Sequence, residues 1–128
     1  MKISKYFTQK EFQCKCDNCK HSCSMDTIFL ILLDRLRDLV DGPVNVSSGF
    51  RCNTHNKEIG GVDNSWHTKG KAADIYSSKA TLKEIYDIAI KMFDEVIIYN
   101  KNGFVHVAEP NKFYSEILTS IVSEDMSE

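Results

Sequence analysis

The sequence predicts an α+β fold, in which a small antiparallel sheet packs with helices. Helical and strand-like hydrophobic patterns alternate along the 128 residues, and two strand-like segments are joined by a polar turn over 100–103. The length suits one hydrophobic core, so we expect a single domain over residues 1–128.

Helix signals occur in five segments. Capping boxes at Thr8 with Glu11 and at Thr81 with Glu84 open a short helix and a helix that runs to about residue 92. A short helix is expected over 51–58 and an amphipathic one over about 112–122, before an acidic end that frays over about 123–128. The strongest helix spans 24–40, with an apolar face predicted at Ile28, Leu32, Leu36 and Leu39, widened by Phe29, Leu33 and Val40.

Strands are predicted over 43–47, 72–76, 96–99 and 104–108, with an irregular stretch over 62–71. The last two strands form a hairpin around the 100–103 turn. Side chains alternate between the faces of a strand, so the pairing fixes which residues share a face with His106. The expected pairs are Tyr99 with Phe104, Ile97 with His106, and Glu95 with Ala108.

His67, Asp74 and His106 are the candidate metal ligands. Three protein ligands leave a fourth position for water, which is typical of catalytic rather than structural zinc. Asp74 lies in the apolar run Ala-Ala-Asp-Ile, where an unpartnered carboxylate would be costly. The alternative is that Asp74 caps a helix or pairs with Lys or Arg, and that both histidines are ordinary core residues.

The motifs around these residues resemble a known family. Ser-x-His-x-x-Gly-x-Ala-x-Asp (65–74) is preceded by Ser-Gly-Phe-Arg (48–51) and followed by Val-His-Val (105–107). The pattern is similar to the zinc D-Ala-D-Ala carboxypeptidases and endopeptidases, most of all to their small single-domain bacterial and phage members. Hedgehog signalling domains and D-Ala-D-Ala dipeptidases share that scaffold. The resemblance runs from about Phe7 to about His106.

The resemblance implies a zinc peptidase that acts on peptidoglycan peptides. It implies that Arg51 faces the active site, where a cation could stabilise a developing oxyanion. The alternative for Arg51 is an ordinary ion pair at a helix start. Ser65 matches a family position suited to a hydrogen bond with substrate, and its alternative role is to stabilise its own loop.

The general base is where this sequence departs from the family. Many members carry an acidic residue three positions before the last histidine ligand, where this chain has Gly103, and many small members have Asp where it has Ala108. The hairpin pairing makes Glu95 the candidate base, with Glu109 second. Both could instead be solvated charges. The missing carboxylates leave a second hypothesis, a zinc-bearing module that binds cell-wall peptide or protein without cleaving it.

The five cysteines are unevenly spaced. Four lie in a Cys-rich segment over 14–23, and Cys52 stands apart. Clustered cysteines in a cytosolic chain favour metal binding over disulfides, so a second zinc is possible at Cys14, Cys16, Cys19 and Cys23. Reduced thiols, or a disulfide outside the cell, are the alternatives. His21 matters only if this cluster binds zinc, and His55 is expected to pack or face water.

Composition limits the partners. The net charge of −2 argues against nucleic acid as a partner, and against a nucleic-acid-binding role for the cysteine cluster. No apolar run approaches the length of a membrane span. We expect the protein to be a monomer. The N-terminal residues lack the apolar segment of a signal peptide, so we expect synthesis in the cytoplasm. Reaching a cell wall would then require lysis or delivery in a virion.

Overall fold

A computed structural model describes residues 2–118, in which helices and strands alternate as the sequence predicts. The helices are α1 (Gln9–Phe12), α2 (Thr27–Leu39), α3 (Asn53–Glu58), α4 (Leu82–Ala89) and α5, over 112–118, with a 3₁₀ turn at Trp66–Lys69. The strands are β1 (Asn45–Ser48), β2 (Ala72–Tyr76), β3 (Phe93–Tyr99) and β4 (Phe104–Pro110). The predicted end of the last helix, over 119–122, and the frayed segment 123–128 lie outside the described residues.

Within residues 2–118, the strands form one antiparallel sheet in the order β1-β2-β4-β3. The α+β prediction is therefore confirmed. The hairpin of β3 and β4 has the predicted register, with Tyr99 opposite Phe104, Ile97 opposite His106 and Glu95 opposite Ala108. Both strands are longer than predicted, because pairing continues as far as Phe93 with Pro110.

The two faces of the sheet have different roles. Ile75 of β2 and Val105 and Val107 of β4 are fully buried in the core beneath α2 and α4. Alternation turns their neighbours Asp74 and His106 to the opposite face. The sheet thus carries the core on one side and the candidate metal ligands on the other.

Helix α2 begins later than predicted. The Asp26 carboxylate accepts a hydrogen bond from the backbone N–H of Phe29 (2.9 Å) and so caps the helix after the predicted start at residue 24. The buried face also differs from the prediction, because Ile28 and Leu39 are 41% and 44% exposed. The face that packs on the core instead centres on fully buried residues, namely Phe29, Leu32, Leu33 and Leu36.

The two predicted helix starts are confirmed, with a reciprocal capping box at Thr8 and an N-cap hydrogen bond at Thr81. The backbone N–H of Thr8 donates to the Glu11 carboxylate (2.6 Å), and the N–H of Glu84 donates to Thr81 Oγ1 (3.1 Å). Helix α3 begins at residue 53 rather than 51, since Cys52 is its N-cap. Across the described residues, no helix has the length and apolar character needed to cross a membrane.

Candidate metal centre

His67 is held by hydrogen bonds on both its backbone and its ring. Ser65 Oγ accepts from the backbone N–H of His67 (3.2 Å) and caps the 3₁₀ turn that carries it. His67 Nδ1 lies 2.7 Å from the carbonyl oxygen of Gly49. Because a carbonyl only accepts, Nδ1 carries a proton, and Nε2 is the ring nitrogen left to face Asp74 or a metal. The buried ring therefore presents Nε2 as a ligand atom.

Asp74 and His106 are paired directly across β2 and β4. Asp74 Oδ1 lies 3.0 Å from His106 Nδ1 and 3.4 Å from His67 Nε2. One ligand atom from each of the three residues falls within 4.8 Å of the others. Two imidazole nitrogens and one carboxylate oxygen form a ligand set that zinc takes in proteins, so these residues fit that metal. We call the group the His/Asp site.

The ionisable groups of the His/Asp site perturb each other. Burial raises the pKa of Asp74, but hydrogen bonds with His106 and His67 outweigh it and hold that pKa at about 2. Burial lowers the pKa of His106, yet its hydrogen bonds with Asp74 and Glu95 raise it above the ordinary histidine value. Asp74 is therefore anionic near neutral pH, as a metal ligand must be.

Glu95 lies on the site face, as the predicted register requires. Its Oε2 is 3.1 Å from His106 Nε2, the ring nitrogen that faces away from Asp74. The Glu95 side chain is 41% exposed. Glu109, the second candidate base, has a left-handed backbone (φ 58°), and its N–H donates to the carbonyl of Lys71. Among the described residues, Glu109 does not line the cavity that contains the metal-ligand candidates. The geometry therefore favours Glu95 over Glu109.

Arg51 lies beside the same ligands. Its Nη2 is 3.7 Å from Asp74 Oδ2, and its backbone N–H donates to the carbonyl of His67 (3.1 Å). Among the described residues, its buried Nε has no hydrogen-bond partner. The ion pair that was the alternative role for both Asp74 and Arg51 therefore exists, and these two residues form it with each other. It places Arg51 next to the candidate metal ligands.

Asn56 is a residue that the sequence analysis missed. It is 5% exposed, accepts from Arg51 Nη1 at Oδ1 (3.2 Å), and donates from Nδ2 to the carbonyl of Val62 (2.9 Å). A Cβ at Gly61 would lie 2.1 Å from Asn56 Oδ1, so the glycine leaves room for this amide. The Gly60-Gly61 pair just after α3 is the signal in the sequence for this close approach.

A cavity of about 520 Å³ opens over these residues. Arg51, Ser65 and Glu95 line it together with the metal-ligand candidates. Aromatic and amide side chains contribute further lining, including Trp66, Tyr99, Phe104, Asn64 and Asn102. The cavity therefore offers both polar and aromatic contacts to a bound molecule.

The cysteine prediction needs a correction. The thiols that come together are those of Cys14, Cys16, Cys19 and Cys52, not Cys23. Cys23 packs, partly buried, against the hydrophobic core. The fold brings the loop before α3 against the Cys-rich segment, a contact that spacing along the chain does not reveal. His21 Nε2 instead pairs with Asp17 Oδ1 (3.1 Å).

Comparison with known proteins finds a family model that covers this site. The family model described as Peptidase M15 matches residues 5–108, which is most of the chain and includes all three residues of the His/Asp site. No curated protein matches the sequence. The match supports a zinc metallopeptidase, as the motif resemblance implied. The chain belongs to the Peptidase M15 family.

Proposed function

We propose that this chain is a zinc-dependent peptidase that hydrolyses peptide bonds in peptidoglycan stem peptides, as a D,D-carboxypeptidase or endopeptidase. The observation that carries the proposal is the convergence of three ligand atoms within 4.8 Å at a cavity of about 520 Å³. Membership of the Peptidase M15 family supports the metallopeptidase part of it.

His67, Asp74 and His106 would hold the metal through Nε2, a carboxylate oxygen and Nδ1, the atoms that face one another. Zinc held by three protein ligands supplies a Lewis acid for a scissile carbonyl and lowers the pKa of a bound water to about 7. The Gly49 carbonyl fixes the tautomer of His67, and Glu95 can do the same for His106.

Arg51 is proposed as the cation that stabilises negative charge developing on the substrate carbonyl oxygen. Its guanidinium lines the cavity beside Asp74, and Asn56 fixes its orientation through Nη1. Because the planar group is held on one edge, the orientation of its remaining N–H groups is restricted.

Glu95 is proposed as the general base. A base must lie within hydrogen-bond reach of the proton it accepts, and the half-exposed Glu95 carboxylate borders the cavity next to His106. Ser65 is proposed to bind substrate, since its Oγ lies at the cavity and uses only its acceptor role toward His67.

One observation favours a second candidate function, a zinc-bearing module that binds cell-wall peptide or protein without cleaving it. The Glu95 carboxylate is already engaged with His106 Nε2. If Glu95 only orients His106, the site keeps a metal and a peptide cavity but has no base of its own.

Digestion of purified peptidoglycan distinguishes the two functions. The peptidase predicts release of free amino groups that a chelator abolishes and added zinc restores. Mass spectrometry of the products then identifies the bond cut. Binding of peptidoglycan fragments without any released product, by protein confirmed to contain zinc, would support the non-catalytic module and refute the peptidase.

A further inference from the structure

Four sulfur atoms meet away from the His/Asp site. The Sγ atoms of Cys14, Cys16, Cys19 and Cys52 all lie within 4.8 Å of one another. Cys16 Sγ is central, at 3.6 Å from Cys14, 3.1 Å from Cys19 and 3.4 Å from Cys52. Cys14 and Cys16 are buried, whereas Cys19 and Cys52 are partly exposed.

These distances suit a metal better than a disulfide. A disulfide has sulfurs about 2.05 Å apart and joins two cysteines, whereas Cys16 is almost equally close to three. In a tetrahedral site with zinc–sulfur bonds of about 2.3 Å, the sulfurs are roughly 3.8 Å apart. The observed separations of 3.1–3.6 Å lie much closer to that spacing than to the length of a disulfide bond.

The backbone around the sulfurs is organised to hold them. The N–H of Cys52 points at Cys14 Sγ and the N–H of His55 at Cys52 Sγ, each at 3.4 Å. Such donors stabilise the negative charge of thiolates and fix ligand orientation.

The loop that carries Cys16 and Cys19 is closed by its own hydrogen bonds. The N–H of Cys14 donates to the carbonyl of Ser22 (2.7 Å), and His21 Nδ1 lies 3.0 Å from the carbonyl of Cys14. Lys20 and His21 both have φ of 56°, a strained conformation for residues with side chains. These hydrogen bonds hold the loop in that conformation.

We propose that Cys14, Cys16, Cys19 and Cys52 form a structural site for a thiophilic divalent metal, zinc in a reducing environment. Four protein ligands close the coordination shell, so this four-cysteine site stabilises structure and has no open position for substrate. Cys23 and His21 are not ligands, since Cys23 packs on the core and both His21 ring nitrogens have other partners.

The site fastens the Cys-rich segment to the loop that carries Arg51. Cys52 follows Arg51 directly, and the N–H of Arg51 donates to the carbonyl of the metal-ligand candidate His67. A metal bound by Cys52 therefore restrains the backbone at Arg51 and positions that side chain from a distance.

Zinc content of single cysteine variants tests the site. The full chain, purified under reducing conditions, should carry about two zinc ions, and Cys52→Ser should carry about one. Cys23→Ser is the matched control, because Cys23 is also a partly exposed thiol, and it should keep about two. If Cys23→Ser loses a zinc ion and Cys52→Ser keeps both, the proposed ligand set is wrong. If the wild type and both variants all carry about one zinc ion, the four-cysteine site does not exist.

A second measurement covers the case in which Cys52→Ser fails to fold. His106→Ala removes a ligand of the His/Asp site and leaves all five thiols in place. Loaded with Co²⁺, this variant should show the intense thiolate-to-cobalt charge-transfer absorption of a sulfur-rich tetrahedral site. Retained cobalt without that absorption, or no retained cobalt, would refute the four-cysteine site, and neither result depends on whether the protein is a peptidase.

Discussion

The two ring nitrogens of His106 face different carboxylates. Nδ1 lies 3.0 Å from Asp74 Oδ1 and Nε2 lies 3.1 Å from Glu95 Oε2. A metal that binds through Nδ1 leaves Nε2 protonated and directed at Glu95, the arrangement in which a carboxylate orients a histidine ligand. At the scale of single residues, the position of Glu95 therefore suits two roles, orienting His106 and accepting a proton.

Glutamine and alanine at position 95 separate these roles. Glu95→Gln keeps an oxygen that can accept from His106 Nε2–H but cannot act as a base, so we expect full zinc content and a fall in turnover of about 10²–10⁴-fold. Glu95→Ala removes the acceptor as well and should weaken zinc binding about 10–100-fold. Steady-state kinetics and competition with a chelator measure the two effects.

Glu109→Gln is the matched control for Glu95→Gln and should be nearly silent in both measurements. Unchanged turnover in Glu95→Gln would mean that Glu95 is a positioning residue. Another side chain must then assist the reaction, and Tyr99, which lines the cavity, is the next to test as Tyr99→Phe.

His106→Ala should lose the zinc of the His/Asp site, because two remaining ligands rarely hold zinc tightly. Metal analysis should show about one zinc ion fewer than in the wild type. Undiminished metal content in folded His106→Ala would reject the assignment of His106 as a ligand.

Arg51→Lys should keep its zinc and lose turnover by about 10²–10³-fold, the usual cost of removing one oxyanion donor. Lysine keeps the charge but not the planar fork that reaches the cavity while bonded to Asn56. Arg35→Lys is the control, since Arg35 is exposed on α2, and it should leave turnover unchanged. Wild-type kinetics in Arg51→Lys would show that Arg51 is only structural.

At the scale of elements, the turn that carries His67 depends on close contact with the start of α2. Gly70 ends the turn with φ of 71°, and the Asp26 N–H donates to its carbonyl (2.9 Å). A Cβ at Gly70 would lie 2.0 Å from the carbonyl oxygen of Ser24. This contact fixes the ligand-bearing turn to the start of α2, whose buried residues pack in the core.

Gly70→Ala and Gly103→Ala form a pair that isolates this contact. Both glycines have positive φ, 71° and 78°, but a Cβ at Gly103 meets nothing within 4 Å. Gly103→Ala should therefore lower the free energy of unfolding only by the conformational strain, about 1–2 kcal/mol. Gly70→Ala must also displace the backbone of Ser24, so it should lower the free energy of unfolding by more. Denaturant unfolding measures both, and equal losses would show that the turn can move away from α2 without penalty.

At the scale of the whole molecule, metal binding should contribute to stability. Free energy from binding a metal only in the folded state adds to the free energy of unfolding. Chelation of the wild type should lower its Tm. Chelation should lower the Tm of Cys52→Ser by less, because this variant has one metal site fewer to lose. An unchanged Tm after confirmed zinc removal would refute this coupling.

The sequence by itself determined where two helices begin and which side chains share the face of the sheet that carries His106. The alternation of side chains along β3 and β4, with the 100–103 turn, is enough to predict that Glu95 shares a face of the sheet with His106. The Ser-x-His-x-x-Gly-x-Ala-x-Asp motif predicted His67 and Asp74, and the capping boxes predicted two helix starts. These features depend on neighbours along the chain or on a short hairpin, so periodicity is enough to find them.

Only the tertiary structure decided the contacts between distant segments. Cys52 replaces Cys23 in the thiol group because the loop before α3 folds against the Cys-rich segment. Asn56 supports Arg51 because α3 turns its buried face toward the site, and the buried face of α2 is set by its contacts with the sheet and α4. Spacing in sequence does not encode which segments meet, because the packing of the whole core selects those contacts.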